Sequence, residues 1–210
     1  MPDSRHHSLL IIISAPSGGG KTTLCNQMLA SNPNAVRAIT CTTRLPRDGE
    51  TDGVDYYFLD AGTFLKRVQA GNFLEHATVY GNSYGTLKSE VLGKLRHGND
   101  VLLSIDVQGA AAIRERAEED EELKKALVTI FLAPPSIHAL EQRLKTRGQD
   151  SSKDIHKRLG VARQEIAQWK HFDYVIVSGS IQEDLERLQA ILTAEKLRQS
   201  RVILPHYPPV

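Results

Sequence analysis

Three glycines followed by a lysine and two threonines lie near the start of the chain. The run Ala15-Pro16-Ser17-Gly18-Gly19-Gly20-Lys21-Thr22-Thr23 matches the phosphate-loop pattern G-x-x-x-x-G-K-[ST] except that Ala15 replaces the first glycine. In such a loop, backbone N–H groups and the lysine bind nucleotide phosphates, and the hydroxyl can ligate Mg²⁺. A tight glycine turn would need neither the lysine nor the threonine. We therefore expect a phosphate site.

Arginines form two further groups with suitable chemistry. Arg44 and Arg47 flank Pro46 in the run Thr40-Cys41-Thr42-Thr43-Arg44-Leu45-Pro46-Arg47-Asp48-Gly49-Glu50, and guanidinium forks bind phosphate oxygens bidentately. Arg143 and Arg147 are four residues apart, on one face of a predicted helix, and Arg158 follows a polar segment. Solvated loops and ordinary basic helix faces are the alternatives for these two groups.

The elements that must position these residues alternate between strands and helices. The apolar runs at 9–13, 101–105, 127–132 and 174–177 are typical of strands covered on both faces. Helices are predicted over 21–31, from an N-cap at Ser136 to Gly148, and over 181–199. This pattern predicts an α/β fold with a doubly wound parallel sheet, whose ligands gather at the carboxyl ends of the strands. Asp106 follows one such strand, where a carboxylate can hold a Mg²⁺ shell.

Composition narrows the class of protein. A length of 210 residues favours one globular unit. The 26 Lys and Arg nearly balance the 25 Asp and Glu, so the net charge gives no overall electrostatic attraction to nucleic acid or to an anionic membrane. The run 9–13 is too short for a signal or spanning segment, so we expect a cytoplasmic protein without nucleic-acid or membrane partners. Cys25 and Cys41 lack metal-ligand spacing and are interpreted as plain buried or semi-buried thiols.

Two segments interrupt the alternation of strands and helices. Residues 41–90 are predicted to form an inserted β-containing lobe, and residues 145–157 a mobile cover. The first segment contains Tyr56, the run Phe73-Leu74-Glu75-His76 and the run Tyr80-Gly81-Asn82-Ser83-Tyr84-Gly85-Thr86. Together with the run from Thr40 to Glu50, this set resembles the guanylate kinase family, and the likeness extends from Ser14 to about Val177.

The resemblance implies a kinase that transfers the γ-phosphoryl group of ATP to GMP with Mg²⁺. It implies a P-loop core at 1–40, 91–132 and 159–210, a GMP-binding lobe at 41–90 and a small mobile lid at 133–158. ATP would bind to residues 15–23, and Mg²⁺ to Thr22 and Asp106. The implied catalytic residues are Lys21, Arg143, Arg147 and Arg158, and the implied GMP-binding residues are Thr40, Arg44, Arg47, Tyr56, Glu75, Tyr84 and Thr86.

Glu75 suits guanine on chemical grounds, because an ionised carboxylate is a paired acceptor for the adjacent N1–H and N2–H₂ donors of that base. The chain also departs from the family pattern at two places. Ser104 stands where D-x-D-x-Q-G has its first acid, and Ser178-Gly179 stands where an Asn-Asp pair is usual. These departures affect the expected contacts to guanine, Mg²⁺ and adenine.

Two other functions are compatible with parts of the pattern. A related P-loop kinase acting on a ribose phosphate would leave Glu75 without base donors to bind. A non-catalytic guanylate-kinase-like binding module would be expected to lose the loop lysine or the lid arginines, whereas Lys21 and the arginines are present. The sequence therefore favours the kinase.

Overall fold

The computed structural model of the chain describes residues 6–79, 81–146 and 152–205. The strands in these residues are β1 (Leu10–Ser14), β2 (Ala35–Arg37), β3 (Cys41–Thr42), β4 (Tyr57–Phe58), β5 (Phe73–Val79), β6 (Asn82–Leu87), β7 (Asp100–Ser104), β8 (Leu127–Ala133) and β9 (Tyr174–Val177). The α-helices are α1 (Lys21–Ser31), α2 (Ala61–Gln69), α3 (Lys88–Arg96), α4 (Val107–Glu118), α5 (Glu121–Ala126), α6 (Ile137–Thr146), α7 (Ser152–Ile166) and α8 (Ile181–Lys196).

The central sheet contains five parallel strands in the order β2-β7-β1-β8-β9. The four predicted strands are all confirmed, and their bounds differ from the predicted ones by at most one residue. The edge strand β2 is absent from the prediction, because its three residues are too few to form a recognisable apolar run. The parallel α/β sheet predicted from the sequence is thus confirmed.

Helices cover both faces of this sheet. On one face, Ile11 and Ile13 of β1 pack with apolar residues of α1 and α8. On the other face, Leu10 and Ile12 pack with residues of α3, α4 and α5. All five residues of β1 are buried, which explains why the strand is a continuous apolar run rather than an alternating one.

A second, smaller sheet follows β2 in the chain. It has the strand order β4-β3-β6-β5, with β3 and β4 parallel and the other pairs antiparallel. Cys41, Phe64, Phe73 and Leu87 form its own small core, and the rings of Phe64 and Phe73 stack at 4.6 Å. Helix α3 then leads the chain back to β7 and the central sheet.

Helices α6 and α7 pack on each other through Leu140, Leu144, Ile155 and Leu159. The Ser136 hydroxyl accepts a hydrogen bond from the backbone N–H of Ala139 over 3.0 Å, so the predicted N-cap of α6 is confirmed. The predicted end of this helix at Gly148 lies outside the described residues.

The last helix, α8, ends three residues before the predicted position Gln199. Its last buried apolar residue is Leu192, and Leu197 is 73% exposed, so no buried apolar side chain would stabilise another turn. Among the helices in the described ranges, none has the length and apolar composition needed to cross a membrane.

Candidate active site

The loop between β1 and α1 has the backbone geometry of an anion site. Gly18 and Gly20 have φ angles of 82° and 97°, which residues with a Cβ disfavour. A Cβ at Gly19 would lie 2.9 Å from the Pro16 carbonyl oxygen. The backbone of the loop therefore requires glycine at positions 18–20. Ala15, which departs from the pattern, is buried immediately after β1.

Lys21 folds back onto its own loop, where its Nζ donates a hydrogen bond to the carbonyl oxygen of Ala15. Burial lowers the pKa of Lys21, and the nearby carboxylates of Glu165 and Asp106 oppose that shift. Burial raises the pKa of Glu165, a residue of α7, and the nearby Lys21 ammonium and the backbone N–H of Ser17 oppose that rise. Glu165 is not among the predicted site residues, because nothing in the polar pattern of α7 indicates that this residue lies near the loop.

A cleft of about 380 Å³ opens above the loop, which is large enough for a small-molecule ligand. Most of the predicted phosphate-loop residues border it, whereas Ala15 lies buried and Ser17 lies outside the lining. The lining residues are Pro16, Gly18, Gly19, Gly20, Lys21, Thr22, Thr23, Leu132, Arg143, Ser178, Gly179, Ile181 and Asp184.

Arg143 reaches the same cleft from α6. Its Nη1 donates to the carbonyl oxygen of Gly19 over 3.4 Å, and its Nη2 donates to Ser178 Oγ over 3.2 Å. The guanidinium is therefore held at the mouth of the phosphate loop. Arg158 lies half-buried in α7, and Arg147 lies outside the described residues.

Asp106 lies near both the phosphate loop and the small sheet, since its charge influences Lys21 and Glu75. Its Oδ1 accepts from the backbone N–H of Gly109 over 2.8 Å and so caps α4. Its charge acts on Lys21, and it also contributes to the raised pKa of Glu75. Ser104, two residues earlier, borders a small cavity together with Thr22. Of the predicted metal ligands, Thr22 lines the cleft with Lys21, and Asp106 lies close enough for its charge to act on Lys21.

Glu75 is a buried acid, 7% exposed, that faces Thr86 across the β5–β6 pair. Thr86 Oγ1 donates to Glu75 Oε1 over 2.7 Å. Burial raises the pKa of Glu75, and this is the largest influence on that group. A Cβ at Gly109 would lie 3.3 Å from Glu75 Oε2, so the glycine lets α4 approach the carboxylate closely. The pair forms an acceptor site that is screened from water.

Arg44 is held by an acid and two rings. Its Nη2 donates to both carboxylate oxygens of Glu50, over 2.8 and 2.9 Å. Its guanidinium carbon lies 5.4 Å from the Tyr56 ring centre, and the Tyr56 and Tyr84 rings meet edge to face at 6.3 Å. Arg44, Tyr56 and Tyr84 are therefore brought together, as predicted.

Other predicted residues of the small sheet take less direct positions. The side chain of Arg47 is exposed, and its backbone N–H donates to Glu50 Oε2 over 2.8 Å. Thr40 is half-buried, and its carbonyl oxygen accepts from the backbone N–H of Tyr57 over 3.0 Å. Glu50 itself was missed as a site residue. Its position at the end of the run from Thr40 to Glu50, which contains both arginines, is the sequence feature that could have indicated it.

Comparisons with known proteins show the family to which the chain belongs. A family model described as guanylate kinase matches residues 7–195. A guanylate kinase of Maricaulis maris (strain MCS10) is 42% identical over 197 residues, covering 94% of this chain and 88% of that protein. A guanylate kinase of Hahella chejuensis (strain KCTC 2396) is 45% identical over 191 residues, covering 91% and 88%. The crystal structure of guanylate kinase from Anaplasma phagocytophilum has a TM-score of 0.71 at 33% identity, covering 94% of this chain and 90% of that one. The chain therefore belongs to the guanylate kinase family.

Proposed function

We propose that this protein transfers the γ-phosphoryl group of ATP to a phosphate oxygen of GMP, giving ADP and GDP. The observation that carries the proposal is the position of Asp106, which accepts a hydrogen bond from Gly109 where that glycine lies against Glu75 Oε2, and whose charge also acts on Lys21. This relation supports two adjoining half-sites, a phosphate loop and a buried base acceptor.

In the proposed complex, residues 15–23 hold ATP. The N–H groups of the glycine loop and the N-terminus of α1 face the phosphates. The Lys21 ammonium leaves the Ala15 carbonyl oxygen and binds the β and γ phosphates. Its contact with Ala15 keeps the ammonium hydrogen-bonded in the free protein.

The acceptor half-site binds GMP through its base and its phosphate. Glu75 accepts from guanine N1–H and N2–H₂, and Thr86 and Thr40 contact the base or its neighbourhood. Adenine has a bare acceptor at N1, which would face the carboxylate and leave it unpaired. Arg44, Arg47, Tyr56 and Tyr84 hold the GMP phosphate.

The attacking phosphate oxygen is already anionic, so no side chain needs to act as a strong base. The bond between this oxygen and the γ-phosphorus forms as the bond to the β–γ bridging oxygen breaks. Charge spreads over the equatorial oxygens, where positioned guanidinium groups stabilise it. We assign this role to Arg143, Arg147 and Arg158, with Lys21.

Thr22 and Asp106 would hold Mg²⁺, since they supply oxygen ligands of the kind this ion prefers. No three side chains of His, Cys, Asp or Glu converge as a metal site within the described ranges. Mg²⁺ bound with a nucleotide takes most of its ligands from water and phosphate oxygens. When bound, Mg²⁺ neutralises charge on the β and γ phosphates.

We further propose a division into a core (1–40, 91–132 and 159–210), a GMP-binding lobe (41–90) and a lid (133–158) that closes over ATP and excludes water. The small separate core of the second sheet supports the division at 41–90. The proposed partners are the small molecules ATP and GMP, without nucleic acid or membrane, and the proposed location is the cytoplasm.

A coupled assay of ADP release tests the function. The protein is supplied with ATP and Mg²⁺ and with GMP, dGMP, AMP, UMP, CMP or a ribose phosphate in turn. We expect turnover with GMP and dGMP and its loss in Lys21→Ala. Turnover only with the ribose phosphate would contradict the proposed acceptor, and turnover with none would favour a binding module.

A further inference from the structure

The segment after β9 departs from the family pattern and borders the cleft. Ser178 and Gly179 occupy the positions where an Asn-Asp pair is usual, so this segment lacks the expected carboxylate. A carboxylate nevertheless reaches the same place from α8. Asp184 is 3% exposed and lines the cleft with Ser178 and Gly179.

Both oxygens of Asp184 are engaged by this segment. Oδ1 accepts from the backbone N–H of Gly179 over 2.9 Å, and Oδ2 accepts from Ser178 Oγ over 2.9 Å. Arg187 also approaches Oδ1, with its Nη1 at 3.4 Å, and donates to the carbonyl oxygen of Val177 over 2.9 Å. The buried acid is therefore paired.

The directions of these hydrogen bonds determine what Ser178 can do next. An ionised carboxylate only accepts, so the Ser178 hydroxyl must use its single proton toward Asp184. The lone pairs of the same oxygen then face the Nη2 of Arg143, which lies 3.2 Å away. Asp184 thus keeps Ser178 as an acceptor for the guanidinium.

The other end of the guanidinium is anchored on the phosphate loop. Arg143 Nη1 donates to the Gly19 carbonyl oxygen, and a Cβ at Gly20 would lie 3.9 Å from that nitrogen. The two terminal nitrogens of Arg143 therefore have separate acceptors, Gly19 and Ser178, which together restrict the orientation of the guanidinium. Such restriction lowers the cost of ordering a long side chain when the transition state forms.

We propose that Ser178 and Asp184 are positioning residues, which hold the Arg143 guanidinium over the phosphate loop for phosphoryl transfer. This inference rests on the proposed catalytic role of Arg143. It also assigns a function to Ser178, at a position where the chain departs from the family pattern.

A double-mutant cycle with kcat as the readout tests the inference. Ser178→Ala is expected to lower kcat by between about tenfold and a hundredfold, with the KM for GMP unchanged. In an Arg143→Ala background, the same change is expected to alter kcat by less than about twofold, since there is no guanidinium left to orient. Equal losses in both backgrounds would overturn the inference.

Ser180→Ala is the matched control. Ser180 is two residues further on and caps α8, accepting from the backbone N–H of Glu183, but it does not line the cleft. Its replacement is expected to lower the Tm through loss of the cap, while kcat stays unchanged. If Ser178→Ala lowers only the Tm, as this control does, Ser178 has a structural role and the inference is wrong.

Asp184→Asn provides a second variant of nearly the same shape. Its amide can donate to Ser178 Oγ and so compete with Arg143 for that acceptor. We therefore expect a loss of kcat in the same direction as for Ser178→Ala, and an unchanged kcat would overturn the role of Asp184. A wild-type kcat in Arg143→Ala alone would instead refute the proposed role of Arg143, which separates the two failures.

Discussion

Thr86 Oγ1 donates a hydrogen bond to Glu75 Oε1 across the β5–β6 pair over 2.7 Å. Strand β5 shifts its register between Phe73 and Glu75, and beyond this shift Glu75 lies opposite Thr86. The bond engages one oxygen of the Glu75 carboxylate, and the side chain of Glu75 is buried. Folding therefore creates a desolvated acceptor, which is costly for the free protein and useful for recognising a donor-rich base.

Glu75→Gln is expected to raise the KM for GMP by between about tenfold and a hundredfold, because a guanine donor would meet the amide NH₂ instead of a carboxylate oxygen. The KM for ATP should stay within about twofold, since Glu75 does not line the ATP cleft. Steady-state kinetics with each substrate varied in turn measure both. Equal effects on the two substrates would contradict base recognition.

The same substitution is expected to stabilise the protein at pH 7. Burial raises the pKa of Glu75 above its ordinary value of 4.5, so the native state binds more protons than the unfolded state between those two pKa values. The contribution of Glu75 to the free energy of unfolding is therefore fully present below pH 4.5, and it is lost as the pH rises through the pKa of Glu75 in the native state. Glutamine does not ionise and avoids that loss.

Thermal unfolding across a pH series measures this effect. The Tm of Glu75→Gln should exceed that of the wild type at pH 7, and the difference should shrink as the pH falls through the native pKa towards 4.5. Glu115→Gln, at an exposed position of α4, is the control and should change little. A lower Tm for Glu75→Gln at pH 7 would contradict the prediction.

Arg44→Lys is expected to raise the KM for GMP by between about tenfold and a hundredfold, because lysine cannot reproduce the planar fork or the ring contact with Tyr56. The KM for ATP should not change. Arg96→Lys is a matched control, since Arg96 also pairs with a glutamate, Glu122, but lies exposed and away from the cleft. Similar kinetic effects of both substitutions would count against a GMP-binding role for Arg44.

Gly20→Ala and Gly98→Ala form a second matched pair. Their φ angles are 97° and 85°, so each alanine should cost about 1–2 kcal/mol of stability through backbone strain. Only Gly20 lies in the phosphate loop, so only its replacement should raise the KM for ATP. Chemical unfolding and kinetics measure the two quantities. An equal rise of the KM for ATP in both variants would contradict the role of the loop.

Both thiols are expected to be unreactive in the folded protein. Burial raises the pKa of Cys25 and of Cys41 from 9.0 to about 11, so the thiolate fraction at pH 8 should be about a hundredfold lower than for an ordinary thiol. A chromogenic disulfide reagent should therefore react slowly with native protein and with two thiols in denaturant. Fast reaction of one thiol in the native state would contradict this.

Local patterns were enough to predict much of the core. The apolar run at β1 followed by glycines and Lys21 indicates a buried strand, an anion loop and a helix start, because each depends on neighbouring residues. The same holds for the Ser136 cap. The small strand β2 and the end of α8 were not predicted correctly, since three residues carry little pattern and the length of a helix depends on what it packs against.

The sequence by itself determined the phosphate loop, the alternation of strands and helices and the likeness to guanylate kinases, because these reside in residues close together in the chain. Only the tertiary structure decided which distant groups meet. Glu165 lies near enough to Lys21 for each charge to act on the pKa of the other, and Asp184 contacts Ser178, which in turn contacts Arg143. These contacts depend on how α7 and α8 pack against the central sheet, and no local pattern of charge or hydrophobicity encodes that packing.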